Sequence, residues 1–450
     1  MGPDPERTRG CTGSSRRCTT RTAHPCRIHL TGHRAAYRAP ITTTHHLPGV
    51  VLTEREHTVP LDHAIPGGRS ITVFTREVAD PDGLDRPYLV FLQGGPGLEA
   101  TRPSSPPSGW MKRALHEYRV LLLDQRGTGR STPVGPQLPG DTPEDQAAYL
   151  THFRADAIVR DCEWIRRELG VDRWTVLGQS FGGFTSLTYL SIAPEGLRAA
   201  LITGGLAPVT NRPVDDVYGA TWDRLRESNR RYFERYPDDR ARVREAHRRL
   251  EGEDVRLPSG DRLTVRRFRQ MGMWLGDSAG FELLHHVLEL PIDSPAFLHD
   301  VERAERWARN PIYATLHESS YADGGPTRWS ADRLTPDWFE GSEAFTAEQV
   351  FPWMFEDYGG LRHHRDVAQL LAEHPWPRLY DEAQLARNDV PVAATIYVDD
   401  LYVERAFAEE TAATVRGLRP WITNEYAHNG LRADGERVLG RLIDLVKGRV

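Results

Sequence analysis

The stretch "TVLGQSFGGF", Thr175 to Phe184, joins a run typical of a buried strand to a glycine-rich turn and then to an apolar run. At its centre is the pattern G-x-S-x-G, in which Gly178 and Gly182 flank Ser180. Between a strand and a helix, this pattern predicts a sharp turn that exposes the serine hydroxyl as a nucleophile. Glycines are needed there because side chains would clash with the neighbouring strand and helix. An ordinary tight turn fits the same letters, so the interpretation depends on partners elsewhere in the chain.

A serine nucleophile needs a histidine base and a carboxylate that orients the base, in the chain order serine, acid, histidine for this type of turn. Asp399 and Asp400 follow the run "AATIYV" and therefore end a predicted strand, where ligands bind in open α/β sheets. His428, in "EYAHNG", is the only histidine after Asp400. These positions predict Ser180 and His428 as catalytic residues, with either aspartate as the acid.

The oxyanion that forms when a serine attacks a carbonyl needs two backbone N–H donors. One is predicted to be that of Phe181, directly after the serine. The second is expected from the loop "LQGGPG", residues 92–97, after an earlier predicted strand, with Gly95 as the leading candidate. A phosphate-binding or dinucleotide-binding loop is disfavoured, because neither G-x-x-x-x-G-K-[ST] nor G-x-G-x-x-G occurs there.

Composition and charge exclude several classes of protein. The net charge of −6 argues against nucleic-acid binding as the main role, and the longest apolar runs have the length of strands, not of membrane spans. Cys11, Cys18 and Cys26 fit no standard zinc pattern, and with Cys162 they imply no disulfide framework. We therefore expect a cytoplasmic protein with no metal or organic cofactor and no nucleic-acid or membrane partner. The oligomeric state is not fixed by the sequence.

The chain of 450 residues divides into four predicted segments. Residues 1–44 lack apolar periodicity and are expected to form a disordered tail. Residues 45–208 alternate strand-like and helical patterns, which indicates the first part of an α/β core. Residues 209–382 are charged, aromatic and mostly helical, and residues 383–450 return to the core pattern. The economical arrangement is one α/β domain interrupted by a helical segment.

Three motifs, "LQGGPG", "LLLDQRGTGRS" and "LGQSFGG", resemble in order and spacing those of the proline iminopeptidases, serine peptidases of the α/β-hydrolase fold. Typical family forms are H-G-G-P-G, D-Q-R-G-x-G-R-S and G-Q-S-W-G-G, so Gln93 replaces a histidine and Phe181 replaces a tryptophan. The family commonly has G-R-Y-D where this chain has V-D-D, and alignment from the strand favours Asp400 over Asp399. The turn that contains Asp124 and Arg126 is expected to be structural.

The resemblance covers about residues 57–205 and 383–450. It implies an α/β-hydrolase core with a mostly parallel sheet and a helical cap inserted before the catalytic acid. The implied activity is that of a serine aminopeptidase, a prolyl aminopeptidase that releases N-terminal proline from a small peptide substrate through an acyl-enzyme intermediate. Esterase, lactonase or amide hydrolase activity on the same fold stays an alternative, and a catalytically silent binding protein is a third.

An exopeptidase must bind the charged imino group of its substrate, so carboxylates are expected in the cap. Glu318 in "LHESSY" and Glu348 in "TAEQVFPWMFEDY" are the predicted substrate-binding residues. Both acids have aromatic neighbours in the sequence, which suits a small apolar ring with a cationic head.

Overall fold

The computed structural model describes residues 41–305 and 307–450. The predicted tail and its three cysteines therefore lie almost entirely outside the described residues. The predicted end of the tail at residue 44 differs from the structure, because the first strand already begins at Ile41 and pairs along its whole length with the second. Within the described residues, no helix combines the length and the apolar character that crossing a bilayer requires.

A nine-stranded sheet forms the centre of the fold, in the order β1-β2-β3-β5-β4-β6-β7-β8-β9. The strands are β1 Ile41–Leu47, β2 Val50–Pro60, β3 Ser70–Ala79, β4 Tyr88–Leu92, β5 Arg119–Asp124, β6 Trp174–Gln179, β7 Leu197–Thr203, β8 Val392–Tyr397 and β9 Leu418–Thr423. Antiparallel pairing joins β1, β2, β3 and β5, and every pairing from β5 onward to β9 is parallel. The predicted mostly parallel sheet is confirmed.

Helices alternate with the strands of the core. Between β4 and β7 these are α1 Gly109–Leu115, α2 Pro143–Leu150, α3 Ala155–Glu168 and α4 Phe181–Ile192. Those from α14 onward are α14 Glu382–Ala386, α15 Arg405–Thr414, α16 Gly430–Ala433 and α17 Gly435–Val446.

Between β7 and β8 all described elements are helical, and residues 209–382 are called the helical insertion below. Its α-helices are α5 Val214–Arg235, α6 Asp239–Gly252, α7 Val265–Arg269, α8 Gly280–Leu288, α9 Pro295–Ala304, α10 Pro311–Leu316, α11 Ser330–Arg333, α12 Met354–Asp357 and α13 Arg365–Glu373. The 3-10 helices described in the chain are Thr151–Phe153, Pro194–Gly196, Gln270–Gly276, Glu318–Ser320 and Arg362–His364.

The central strands are apolar on both faces because helices cover both faces. All five residues of β4 are buried, and they alternate between two hydrophobic clusters. Leu89 and Phe91 belong to the cluster that contains residues of α1 and α17, whereas Val90 and Leu92 belong to the one that contains residues of α3 and α4. Such coverage explains the nearly continuous apolar runs in the sequence.

The turn after β5 braces the loops beside the site. The Arg126 guanidinium is fully buried and donates to the Asp161 carboxylate at 2.7 Å and to the Leu61 carbonyl at 2.9 Å. The Asp124 carboxylate accepts hydrogen bonds from the backbone N–H groups of Ala100 and Arg130, at 3.1 and 2.9 Å. These contacts agree with the structural role expected for this turn.

Candidate active site

Ser180 lies in a strained turn between β6 and α4. Its backbone has φ 54° and ψ −123°, a region that residues other than glycine rarely adopt. The flanking glycines make the turn possible, since a Cβ atom at Gly182 would lie 1.9 Å from the Leu92 carbonyl oxygen. A Cβ atom at Gly178 would lie 2.3 Å from the carbonyl oxygen of Gly182. The geometry is that expected for a nucleophile held above the carboxyl ends of the strands.

His428 and Asp400 come together from the loops after β9 and β8. His428 Nδ1 lies 2.7 Å from the Asp400 Oδ2 atom. The other carboxylate oxygen accepts the backbone N–H groups of Tyr402 and Val403, at 2.9 and 3.0 Å, so the carboxylate is fixed in orientation. Asp399, the alternative acid, pairs instead with Arg231 at 3.1 Å and is half exposed. The structure therefore brings Asp400, not Asp399, to the histidine.

The second ring nitrogen of His428, Nε2, is buried and has no hydrogen-bond partner among the described residues. His428 and Ser180 both line one cavity of about 120 Å³, so Nε2 is available to a hydroxyl group or a water there. Burial disfavours the charged ring, but the carboxylates of Asp400 and Glu348 outweigh this effect and raise the pKa of His428 above its usual value.

The two backbone segments expected to donate N–H groups to an oxyanion both lie beside Ser180. Phe181 is the first residue of α4, so its N–H has no acceptor within the helix. Gly94 and Gly95 line the cavity from the loop after β4. A Cβ atom at Gly94 would lie 3.1 Å from the Ser180 Cβ, so the loop backbone approaches the serine at Gly94, next to the predicted Gly95.

Glu348 lines the same cavity from the helical insertion. The Tyr313 hydroxyl donates to its Oε1 atom, and His317 Nε2 lies 3.5 Å from its Oε2 atom. Burial would raise the pKa of Glu348, but the hydrogen bonds from His317 and Tyr313 and the charges of His317 and His428 outweigh burial and lower it. The carboxylate therefore stays ionised at neutral pH, with a negative charge directed at the cavity that holds Ser180.

Glu318, the other predicted substrate-binding residue, is placed differently. Its carboxylate accepts the backbone N–H groups of Ser330 and Ala331, at 3.2 and 2.9 Å, at the start of α11. Glu318 is buried and is not among the residues that line the cavity. Burial is the main reason that its pKa is raised. The expectation that Glu318 faces the substrate therefore disagrees with the structure, because backbone N–H groups at the start of α11 bind its carboxylate.

Several residues of the site have no local signal in the sequence. Tyr313 and His317, one helical turn apart, have ring planes only 9° from parallel and flank Glu348. The insertion also holds the loop of the predicted base, since the backbone N–H of His428 donates to the Gly276 carbonyl at 3.0 Å. Asp277, the next residue, accepts from Asn429 at 2.7 Å. In the sequence, only the i, i+4 spacing of Tyr313 and His317 indicates that the two side chains share a helix face.

One group of side chains in the described residues has the geometry of a possible metal site. His285, His286 and Glu289 have ligand atoms within 4.8 Å of one another. His285 is already hydrogen-bonded to Asp239 at 2.9 Å, and none of the three lines the cavity of Ser180. This group therefore has no geometric connection to the candidate active site.

Sequence comparison places this chain among known proteins. Residues 87–303 match the family described as alpha/beta hydrolase fold. A proline iminopeptidase of Aeromonas sobria is 48% identical over 415 residues, which cover 89% of this chain and 97% of that protein. Proline iminopeptidase aneH of Aspergillus aculeatus is 35% identical over 436 residues, covering 90% and 96% of the two chains.

Among solved structures the likeness to this chain is weaker. A proline iminopeptidase of Mycobacterium smegmatis has 15% identity and a TM-score of 0.44, covering 87% of this chain and 98% of that chain. A 2-hydroxy-6-oxo-6-phenylhexa-2,4-dienoate hydrolase of Rhodococcus has 14% identity and a TM-score of 0.43, covering 91% and 100%. The nearly full-length sequence matches confirm the resemblance first indicated by the three motifs. The chain belongs to the proline iminopeptidase family of α/β hydrolases.

Proposed function

We propose that this chain is a serine aminopeptidase that releases proline from the amino terminus of small peptides. The observation that carries the proposal is that the Glu348 carboxylate lines the same cavity as Ser180 and His428. The imino group of an amino-terminal proline is a cation, and an ionised carboxylate is the partner that such a cation prefers. The cavity of about 120 Å³ is small compared with ordinary ligand pockets, which suits a single residue.

Acylation begins when Ser180 Oγ attacks the carbonyl carbon of the amino-terminal proline and gives its proton to His428 Nε2. The N–H groups of Phe181 and of the Gly94–Gly95 loop hold the resulting oxyanion. Asp400 keeps Nδ1 protonated and stabilises the imidazolium that forms. The C–N bond then breaks as Nε2 transfers its proton to the leaving amine, and the prolyl group stays on Ser180 as an ester.

Deacylation repeats these steps with water in place of the serine. His428 Nε2 takes a proton from the water as its oxygen attacks the ester carbonyl carbon, and the same N–H groups hold the oxyanion. The ester bond breaks, Nε2 returns the proton to Ser180 Oγ, and free proline leaves. Ser180 and His428 thus return to their starting protonation states, and water is the only co-reactant.

Glu348 sets the position of cleavage. A proline inside a longer chain has no charged imino group, so it cannot form the ion pair that places the first peptide bond at Ser180. The buried position of Glu348 strengthens this selection, since charges interact more strongly away from water. The His317 and Tyr313 side chains hold the carboxylate without covering the side that faces the cavity.

The relatives named proline iminopeptidase and the position of Glu348 favour this activity over esterase, lactonase or other amide hydrolase activity. No observation in the described residues favours a second function. The cytoplasmic location expected from the cysteine content stays a prediction.

The test compares the kcat/KM values of prolyl, alanyl and leucyl arylamides with that of a simple acetate ester. We expect the prolyl arylamide to be best, and N-acetylation of its imino group to reduce kcat/KM by about tenfold or more, since a charged hydrogen bond contributes about 1.5–3 kcal/mol. An ester turned over far better than every aminoacyl amide would contradict the proposal. Labelling by an organophosphonate, with Ser180→Ala as the unlabelled control, separates an enzyme from a silent binding protein.

A further inference from the structure

A second cavity, of about 370 Å³, adjoins the one that contains Ser180. The two cavities share Gln93, Gln179 and Arg432 in their walls. All described residues that line the second cavity belong to the core, in segments 91–111 and 429–432 and at Gln179. Glu348 lines only the first cavity of this pair. We call the second space the leaving-group cavity.

The leaving-group cavity has an apolar wall and a cationic rim. Phe91 and Trp110 pack with their ring centroids 4.6 Å apart, and Leu431 is buried beside them in the same hydrophobic cluster. Arg102 and Arg432 also line the cavity, and no acidic residue does so among the described residues. The Arg432 guanidinium pairs with Asp277 at 2.8 Å, whereas Arg102 forms no ion pair within the described part of the chain.

We propose that this cavity binds the residue that follows the amino-terminal proline, and that it favours a dipeptide with an apolar second side chain and a free carboxylate. This inference rests on the proposed function. If Glu348 holds the imino group, the part of the substrate beyond the scissile bond must occupy space next to Ser180 that Glu348 does not line. The leaving-group cavity is such a space, because it shares three wall residues with the cavity of Ser180.

The wall chemistry defines the substrate class. The aromatic pair of Phe91 and Trp110 offers apolar surface to the second side chain, and burial of such a side chain is favourable. The carboxylate of a dipeptide lies on the residue that enters this cavity, where Arg102 supplies a positive charge. Arg102 is exposed, so its contribution is that of a solvent-screened ion pair.

The proposed interaction between Arg102 and the substrate carboxylate is tested with the variant Arg102→Gln and three substrates, Pro-Leu, Pro-Leu amide and prolinamide. We expect the wild-type kcat/KM to be about two- to fivefold higher for Pro-Leu than for Pro-Leu amide, as for a pair worth up to about 1 kcal/mol. Arg102→Gln should bring the ratio to about 1 and leave prolinamide hydrolysis unchanged. Arg441→Gln, at an exposed arginine of α17 that does not line the cavity, is the matched control and should keep the wild-type ratio.

The apolar wall is tested by the ratio of kcat/KM for Pro-Leu to that for Pro-Ser. We expect this ratio to be about tenfold or more in the wild type and to fall in Trp110→Ala, since tenfold corresponds to about 1.4 kcal/mol, the low end of what burial of an apolar side chain contributes. Loss of prolinamide hydrolysis in Trp110→Ala would indicate a folding defect. In that case the Pro-Leu to Pro-Ser ratio of the wild-type enzyme alone decides whether the cavity favours an apolar second side chain.

The outcomes separate this inference from the function on which it rests. If wild-type enzyme shows no preference for the free carboxylate, or if Arg102→Gln retains the preference, the assignment of the charge is overturned. A wild-type ratio near 1 for Pro-Leu over Pro-Ser overturns the apolar part. In both cases prolinamide is still cleaved, whereas failure of the proposed function leaves prolinamide and all prolyl substrates intact.

Discussion

Glu318 and Glu348 are both buried acids of the helical insertion, but different groups satisfy their carboxylates. Glu318 accepts two backbone N–H groups at the start of α11, so both of its oxygens are engaged by the fold. Glu348 contacts the side chains of Tyr313 and His317 and also lines the cavity of Ser180. A buried acid is therefore available to a ligand only where its protein partners leave one side of the carboxylate open.

The same contrast occurs between two adjacent residues of the core. Asp400 is held by two backbone N–H groups on one oxygen and offers the other oxygen to His428. Asp399, one residue earlier, pairs with Arg231 and is half exposed. Each of the two pairs of acids supplies a variant and its matched control.

The largest effect is expected from the adjacent aspartates. Asp400→Asn should reduce kcat for a prolyl arylamide by about 10⁴-fold, because the asparagine stabilises the wrong tautomer of the histidine. Asp399→Asn removes only an exposed ion pair and should change kcat by less than about threefold. Steady-state kinetics of the two variants checks this expectation. Similar losses in both would mean that the catalytic acid is not Asp400 alone.

The two glutamates are expected to differ by a smaller factor. Glu348→Gln should lower kcat/KM for the prolyl arylamide by about 10- to 100-fold, because the imino group loses its charged partner, while acetate ester hydrolysis is retained. Glu318→Gln should leave both activities close to wild type but lower the free energy of unfolding by about 1–3 kcal/mol, because a buried N–H group loses its acceptor. Kinetics and denaturant unfolding of both variants measure these effects. The reverse pattern, with arylamide activity lost only in Glu318→Gln, would assign the imino group to Glu318.

The smallest effect is a shift in pH dependence. His428 acts as a base only when neutral, so activity falls as the pH falls through its pKa. Because Asp400 and Glu348 raise the pKa of His428 above 6.5, the acid limb of kcat/KM for the acetate ester should lie above pH 6.5. Glu348→Gln removes one negative charge, so the limb should move to lower pH. The limb should not move in Glu318→Gln, and an equal shift in both variants would contradict the proposed surroundings of His428.

The core of the site could be predicted because its signals are local. Ser180 and its glycines lie within five residues, and a turn between a strand and a helix demands them on steric grounds. His428 followed from its place after β9 and before the last helix. The mostly parallel sheet followed from apolar runs that are buried on both faces. The choice between Asp399 and Asp400 depended on family resemblance, since adjacent residues differ only in orientation.

The insertion side of the site could not be predicted in the same way. Glu318 and Glu348 have similar acidic and aromatic neighbours in the sequence, but the orientations of their carboxylates depend on contacts with residues 12 or more positions away. The hydrogen bond from Ser330, at the start of α11, to Glu318 joins residues 12 positions apart in the sequence. The hydrogen bond from Tyr313 to Glu348 joins residues 35 positions apart. The sequence pattern indicates neither contact, because short irregular helices have no fixed periodicity across their junctions.

The hydrogen bonds between residues 276–278 and the loop of His428 tie the insertion to the proposed base. The His428 backbone N–H donates to Gly276, and Asp277 and Ser278 both bond to the Asn429 side chain. The insertion thus serves as a structural support for the base as well as a wall above the serine. An exchange of the whole insertion between relatives changes substrate choice without loss of turnover only if the incoming segment reproduces this attachment. Substitutions that change substrate choice are therefore best tolerated in the parts of the insertion that do not contact the loop of His428.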